Sequence, residues 1–316
     1  MTNNYNSNIF DTPILFLVFN RLDTTKLVFE QIRNIKPKIL YIASDGPRKN
    51  RNDEVIKVSE VRSFIIDNID WDCEIKTLFR NENLGCKYAV SSAIDWFFDN
   101  EPQGIILEDD CLPSKSFFYY CQDLLNKYKN DFRIWQISGC NFQKEKTDDK
   151  SYYYSKFNHV WGWASWSSRW SHYDVEMTDY EEFNSNDLIN DLISDTNERL
   201  FWSKCFNDVS KNKIDTWDYQ WTYKVWCNNG LTALPNTNLI SNIGFGLDAT
   251  HSKDIYSSFS NLKTAEIQFP LNSPKFIVRN SLADNHTVDV FNFTKSYLNR
   301  IKIKLSKLRN KYISNK

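Results

Sequence analysis

Four short segments in the first third of the chain alternate with stretches of helical spacing, and this alternation constrains the fold more than any other feature. Pro13-Ile14-Leu15-Phe16-Leu17-Val18-Phe19 is a continuous apolar run, as expected of a strand covered on both faces. Asp23 to Asn34 follows, with Leu27, Val28, Gln31 and Ile32 at helical spacing. Ile39 to Ala43 reads as a second strand, Asp53 to Asp67 as a helix, and Glu74 to Phe79 as a third strand. Cys86 to Phe98 is helical, with Tyr88, Ala89, Ala93, Trp96 and Phe97 on its apolar side, and Gly104 to Leu107 is a fourth strand. Strand and helix recurring in this way predict βαβ units, and hence an α/β fold with a mostly parallel central sheet flanked by helices. Ligands of such sheets sit at the carboxyl ends of the strands, so the polar residues there carry the functional information.

A helix over Ser114 to Lys129, a strand over Arg133 to Ser138 and a loop over Asn141 to Ser151 come next. The alternation then fails. Residues 152–174 are dominated by Tyr and Trp, Tyr180 to Asn212 is polar and helical, and Thr216 to Asn229 predicts a helix stopped by Gly230. Residues 1–11 read as disordered. Aromatic residues make up 16% of the chain, which allows either a bulky core or rings lining a sugar or nucleotide cleft.

Each strand end is polar. The first gives Asn20-Arg21-Leu22-Asp23, the second Ser44-Asp45-Gly46-Pro47-Arg48, the third Arg80-Asn81 with Gly85 and Lys87 beyond, and the fourth Glu108-Asp109-Asp110. Arg can hold phosphate oxygens in a bidentate manner, and a carboxylate can accept from a ribose or a base edge. Three consecutive carboxylates leaving a buried strand repel one another unless a positive charge joins them. Mg²⁺ or Mn²⁺, held by one or two carboxylates and substrate phosphates, is the natural partner. The plainer alternative is that the triplet caps the next helix.

In order and spacing, these motifs resemble glycosyltransferases of the GT-A fold, whose acidic motif follows the fourth strand. The Glu-Asp-Asp form is similar to that of the animal N-acetylglucosaminyltransferase that begins complex N-glycans. A group of bacterial nucleotide-diphospho-sugar transferases is a closer resemblance, over about residues 12–255. It is carried by Phe19-Asn20-Arg21, Ser44-Asp45-Gly46-Pro47-Arg48, Asn83-Leu84-Gly85, Leu107-Glu108-Asp109-Asp110, His159-Val160-Trp161-Gly162-Trp163-Ala164, Trp217-Asp218-Tyr219-Gln220-Trp221 and Asn238-Leu239-Ile240-Ser241-Asn242-Ile243-Gly244. The resemblance implies a Rossmann-like GT-A fold and transfer of a sugar from a nucleotide-diphosphate donor, such as UDP-GlcNAc, to a glycan, lipid-linked saccharide or glycoprotein acceptor. It implies Arg21 at the donor phosphates, Asn20 in donor binding, Asp45 at a uracil base, Glu108 and Asp109 at ribose or donor sugar, and Asp110 on the metal. It divides the chain into a nucleotide-sugar half (12–138), an acceptor half (139–255), an extension (256–290) and a basic helix (291–316).

An inverting transfer needs a carboxylate to take the acceptor proton. Asp218, between Trp217 and Tyr219 near a predicted helix start, is the first candidate, with Asp174 and Asp215 behind it. Capping by Asp215 and Asp218 is the plainer alternative. A retaining reaction, a non-catalytic sugar-binding protein and a nucleotidyltransferase stay as alternatives; the last expects a glycine-rich loop after the first strand, which Asn20-Arg21-Leu22-Asp23 lacks. Trp161, Gly162, Trp163 and Trp217 either wall the sugar or acceptor or belong to the core. His251, after Gly244 and Gly246, is a metal or phosphate ligand by its order in the chain, or a structural histidine.

Net charge is −1, which gives no general attraction to nucleic acid. From Lys295 onward every Asp, Glu, Lys or Arg position is basic, and Tyr297, Ile301, Leu305, Leu308 and Tyr312 share one helical face. That pattern suits a helix lying on an anionic membrane surface, or one packed on its own domain. The seven cysteines form no CxxC pair, which argues against a disulfide framework or structural zinc and for a reducing, cytoplasmic setting. The chain shows neither a signal peptide nor an apolar run near the ~18 residues a span requires. A cytoplasmic protein, peripheral on the inner membrane face, is expected.

Overall fold

The computed structural model describes residues 10–245, 259–291 and 293. The first elements follow the sequence pattern closely: β1 (Ile14–Val18), α1 (Leu22–Ile35), β2 (Ile39–Ser44), α2 (Asn52–Asp67), β3 (Glu74–Phe79), α3 (Gly85–Asn100) and β4 (Gln103–Glu108). Then come β5 (Cys111–Pro113), α4 (Lys115–Tyr128), β6 (Ile134–Ser138), β7 (Tyr152–Ser155), β8 (Trp163–Trp166) and α5 (Ser167–Trp170). The chain continues through α6 (Tyr180–Ser185), α7 (Ile189–Leu192), α8 (Thr196–Ser210), α9 (Asp218–Cys227), β9 (Leu231–Pro235), β10 (Ile240–Asn242) and α10 (Ser281–Val290).

Eight strands form one mixed, mostly parallel sheet in the order β3-β2-β1-β4-β8-β6-β9-β7, flanked by helices. β3, β2, β1 and β4 run parallel, and β8 enters antiparallel between β4 and β6. The side-chain period of two explains the layers. Ile14, Phe16 and Val18 pack with Val28, Phe29 and Phe117 on one face, while Leu15 and Leu17 pack with Ala93, Phe97 and Trp163 on the other. Full burial of a ring such as Phe16 contributes roughly 1.5–3 kcal/mol. The chain moves outward from β1 to β2 and β3, then returns to place β4 on the other side of β1. The crevice above β1 and β4 is therefore the topological switch point, where such sheets bind ligands.

Several expectations need correction. Phe10 and Asp11 are not disordered: Phe10 is buried against Phe118 and Tyr119, and the Asp11 N–H donates to Gln122 Oε1 at 2.9 Å. Beyond Ser138, where the regular alternation fails, the strands β7, β8, β9 and β10 follow. β8 joins the main sheet between β4 and β6, so one sheet runs through both expected halves. The stretch Tyr180 to Asn212 is broken into three helices, with Asp187 and Asn212 in left-handed conformation. Asn229, not Gly230, supplies the left-handed residue that ends α9. Gly230 instead makes room for Trp135, whose Cγ would lie 2.5 Å from an added Cβ. All seven cysteines are free thiols. His251 and the basic segment from Lys295 lie outside the described residues. Among the described residues, no helix is long and apolar enough to cross a membrane.

Candidate active site

The acidic triplet leaves β4 and enters β5, not a helix. The helix-capping alternative is thereby removed: α4 begins after β5, and its first N–H groups, Lys115 and Ser116, donate to the Glu266 carboxylate at 3.2 and 2.7 Å. Across the switch point, Arg21 leaves β1 and meets the triplet. Its guanidinium pairs with Asp109 and with Asp110 Oδ2, the latter at 2.9 Å. Asp109 is almost fully buried and also accepts the Phe19 N–H at 3.2 Å. Burial alone would lower the Arg21 pKa, but Asp109 and then Asp110 outweigh it and raise it.

Among the described residues, Glu108 has no such ion-pair partner. Its position deep at the crevice floor is the largest cause of a raised pKa, and the charges of Asp110 and Asp109 add to it. Burial also raises Asp109, against the lowering effect of Arg21. One guanidinium thus faces three carboxylates. A carboxyl raised in the folded state contributes stability below its ordinary range, and that contribution is lost as pH rises through the folded value. Glu108→Gln is therefore expected to stabilise the ligand-free protein at pH 8 by about 1 kcal/mol, with a smaller gain at pH 5. Thermal unfolding at the two pH values checks this; equal gains at both would contradict it.

β10 pairs antiparallel with β5 and carries the late chain across the triplet. The Ile243 N–H donates to the Asp110 carbonyl at 2.9 Å. Gly244 then passes so close that a Cβ there would collide with Asp110 Oδ2 and lie 2.7 Å from Arg21 Nη1.

The crevice encloses about 240 Å³, with Arg21, Asp45, Arg80, Glu108 and Asp109 among its lining residues. Asn20 also lines it. Asp45 accepts N–H groups from Gly46, Leu84 and Gly85 and from the Asn83 side chain, so it holds the turn that forms one wall. Arg80 lines the same wall and donates to Ser92 Oγ at 2.8 Å. Lys87 does not serve the crevice. It is buried and bonds Glu176 at 3.1 Å and Asn212 at 2.7 Å.

Asp218 begins α9 and accepts from the Thr216 hydroxyl. Its charge lies near enough to raise Glu108 further, and it also raises Cys86, a lining residue of the crevice. It simultaneously lines a second cavity of about 230 Å³, walled by Phe142, Phe157, His159, Trp161 and Phe291. The other acids are occupied. Asp215 does not cap α9; it accepts the Cys86 and Lys87 N–H groups at 3.1 and 2.8 Å and so caps α3. Asp174 accepts two backbone N–H groups and the Thr178 hydroxyl in a local turn.

The aromatic motif divides. Trp161 lines the second cavity, but Trp163 and Trp217 are 1% and 3% exposed and stack at 5.7 Å within the core. They support the site from beneath and do not wall it. Gly162 is left-handed, and a Cβ there would lie 2.5 Å from Ile240 Cδ1, so its role is close backbone packing. The sequence did not single out Phe142, Phe157 or Phe291 as site residues. They converge only through the sheet order and α10, and no local spacing marks them.

No family model matches this chain, and no curated protein matches it. Among solved structures, it is similar to S. aureus TarS 1-349 at 7% identity, over 73% of this chain and 59% of that one, with a TM-score of 0.39. It is similar to HddC from Yersinia pseudotuberculosis at 11% identity, over 50% and 77%, with a TM-score of 0.30. A UDP-glucose pyrophosphorylase in complex with UDP-glucose is similar at 12% identity, over 46% and 62%, with a TM-score of 0.25.

Proposed function

We propose that this protein transfers a glycosyl group from a nucleoside-diphosphate sugar to an acceptor hydroxyl, with inversion and with Asp218 as the base. The observation that carries this reading is the Arg21–Asp109–Asp110 cluster at the switch point, beside a crevice that Arg21 and Asp109 line, with Asp218 on the wall of a second cavity and close enough for its charge to act on Glu108 and Cys86 of that crevice. The crevice, lined by Arg21, Arg48 and Arg80, suits a diphosphate.

A divalent cation fits the donor set only as a cation shared with the donor. Among the described residues no group of three His, Cys, Asp or Glu side chains could cage a metal. Asp110 offers a partly exposed carboxylate beside two buried or deep ones. One carboxylate plus substrate phosphate oxygens is the usual arrangement for Mg²⁺ and is compatible with Mn²⁺. Asp110 would hold it, with His251 as the second protein ligand on the basis of chain order. When bound, the cation would offset charge on the diphosphate leaving group.

In the proposed step the acceptor oxygen bonds to the anomeric carbon, Asp218 takes its proton, and the carbon–oxygen bond to the diphosphate breaks. Arg21 then has a choice of anionic partners, the departing phosphate or its two aspartates. Glu108 lines the crevice and would hydrogen-bond a ribose or sugar hydroxyl of the donor. UDP is the proposed nucleotide, with the turn that Asp45 holds through Gly46, Asn83, Leu84 and Gly85 as the wall beside the base. The product's anomeric configuration, read by NMR, is expected to be opposite to the donor's. Retention would remove Asp218 from the role of base.

A further inference from the structure

We infer that the aromatic cavity beside Asp218 is the acceptor subsite, and that it takes an uncharged sugar ring by its C–H face. The inference deepens the glycosyl-transfer reading and rests on it.

The two cavities have opposite chemistry. The donor crevice is lined by Arg21, Arg48 and Arg80, whereas the described residues of the second cavity contribute no Lys or Arg. Asp218 supplies its charge. His159 is pushed down to about 3 by burial, so it is neutral at physiological pH. A sugar bearing carboxylate or phosphate would face Asp218 without a counter-cation, a like-charge contact that selects against it. The walls favour an apolar face. Phe142 meets Trp161 edge-on at 5.5 Å and Phe291 at 5.0 Å, and Trp161 stays only half-buried, so part of its ring is open to the cavity. The apolar C–H face of a pyranose buries against such rings, while its hydroxyls find neutral partners. Two residues of the lining, Asn158 and Trp202, each carry a buried N–H donor without a partner among the described residues. An unpaired buried donor is costly, and a small side-chain adjustment toward a hydroxylated occupant relieves it. Placement does the rest: a ring seated here presents a hydroxyl to Asp218, whose charge is felt at Glu108 on the donor side.

The test uses the full chain and ligand-observed saturation-transfer NMR. The probes are the methyl glycosides of glucose, galactose, mannose and N-acetylglucosamine, set against methyl glucuronide and glucose 6-phosphate at matched millimolar concentration. At least one neutral glycoside is expected to receive saturation at its ring C–H protons, and the anions much less. Trp161→Ala is expected to weaken that binding roughly fivefold or more, with Trp161→Phe restoring most of it. Phe291→Ala is the second variant, and thermal unfolding of each checks that it is folded. Stabilisation by UDP with Mn²⁺ is measured on the same samples and is expected to persist in the variants. Binding of no neutral glycoside, equal binding of the anions, or unchanged binding in both alanine variants would overturn the inference. If UDP with Mn²⁺ stabilises the protein while those results hold, only the acceptor subsite fails. If it does not, the nucleotide-sugar reading fails as well.

Discussion

Asp218→Asn is expected to lower kcat by about 10²- to 10⁴-fold while leaving the donor KM nearly unchanged. Asn keeps the shape and can still accept from the Thr216 hydroxyl, so the start of α9 is preserved. What it loses is the ability to take a proton. The effect therefore belongs in kcat, because the residue acts on the acceptor hydroxyl and not on the diphosphate. Steady-state kinetics with a fixed acceptor reads the difference. The rival carboxylates sharpen the contrast. Asp174 and Asp215 already spend their oxygens on backbone N–H groups, so Asp215→Asn should act on stability before chemistry. Full activity in Asp218→Asn would end the inverting assignment.

Arg21→Ala is expected to cost roughly 3–5 kcal/mol of stability, because it strands a buried charge. Arg21 itself keeps 26% of its side-chain surface in solvent, which argues for the lower end, but Asp109 keeps only 3%. Without the guanidinium, Asp109 stays raised by burial and loses its largest lowering influence. The variant should therefore be least stable at alkaline pH and recover as pH falls, the direction for a carboxyl whose folded pKa is raised. Adding Asp109→Asn should restore much of the loss, since it removes the stranded charge. Denaturant unfolding of the two single variants and the double variant reads this directly. A double variant no more stable than Arg21→Ala would mean that Asp109 does not depend on Arg21.

The parallel half was legible because two signals agree there. Apolar runs bounded by polar ends mark β1, β2 and β4, and helical spacing marks the segments between. The switch-point rule then points to Arg21 and the acidic triplet from strand order alone. The second half was less legible for physical reasons. β7, β8 and β10 span only three or four residues and are rich in aromatics or small polar residues, so no period can develop. Residue type also says nothing about which rings are buried: Trp161 opens on a cavity, while Trp163, two positions on, is core. The Asp215 cap on α3 joins residues 129 positions apart, and local spacing cannot show it. Gly244 was marked as part of a motif, but its reason, the approach of Asp110 and Arg21, is tertiary.

The central claim is that Asp110 and Arg21 hold a nucleoside-diphosphate sugar together with a divalent cation. Thermal unfolding with a panel of UDP- and GDP-sugars, each with and without Mn²⁺, tests it most directly. A ligand that binds only the folded state stabilises by mass action, by about 2.7 kcal/mol at a concentration 100 times its Kd. The account predicts a marked rise in Tm with at least one nucleotide sugar, dependent on Mn²⁺ and abolished in Asp110→Ala. No rise with any of them, or an equal rise in Asp110→Ala, would contradict it.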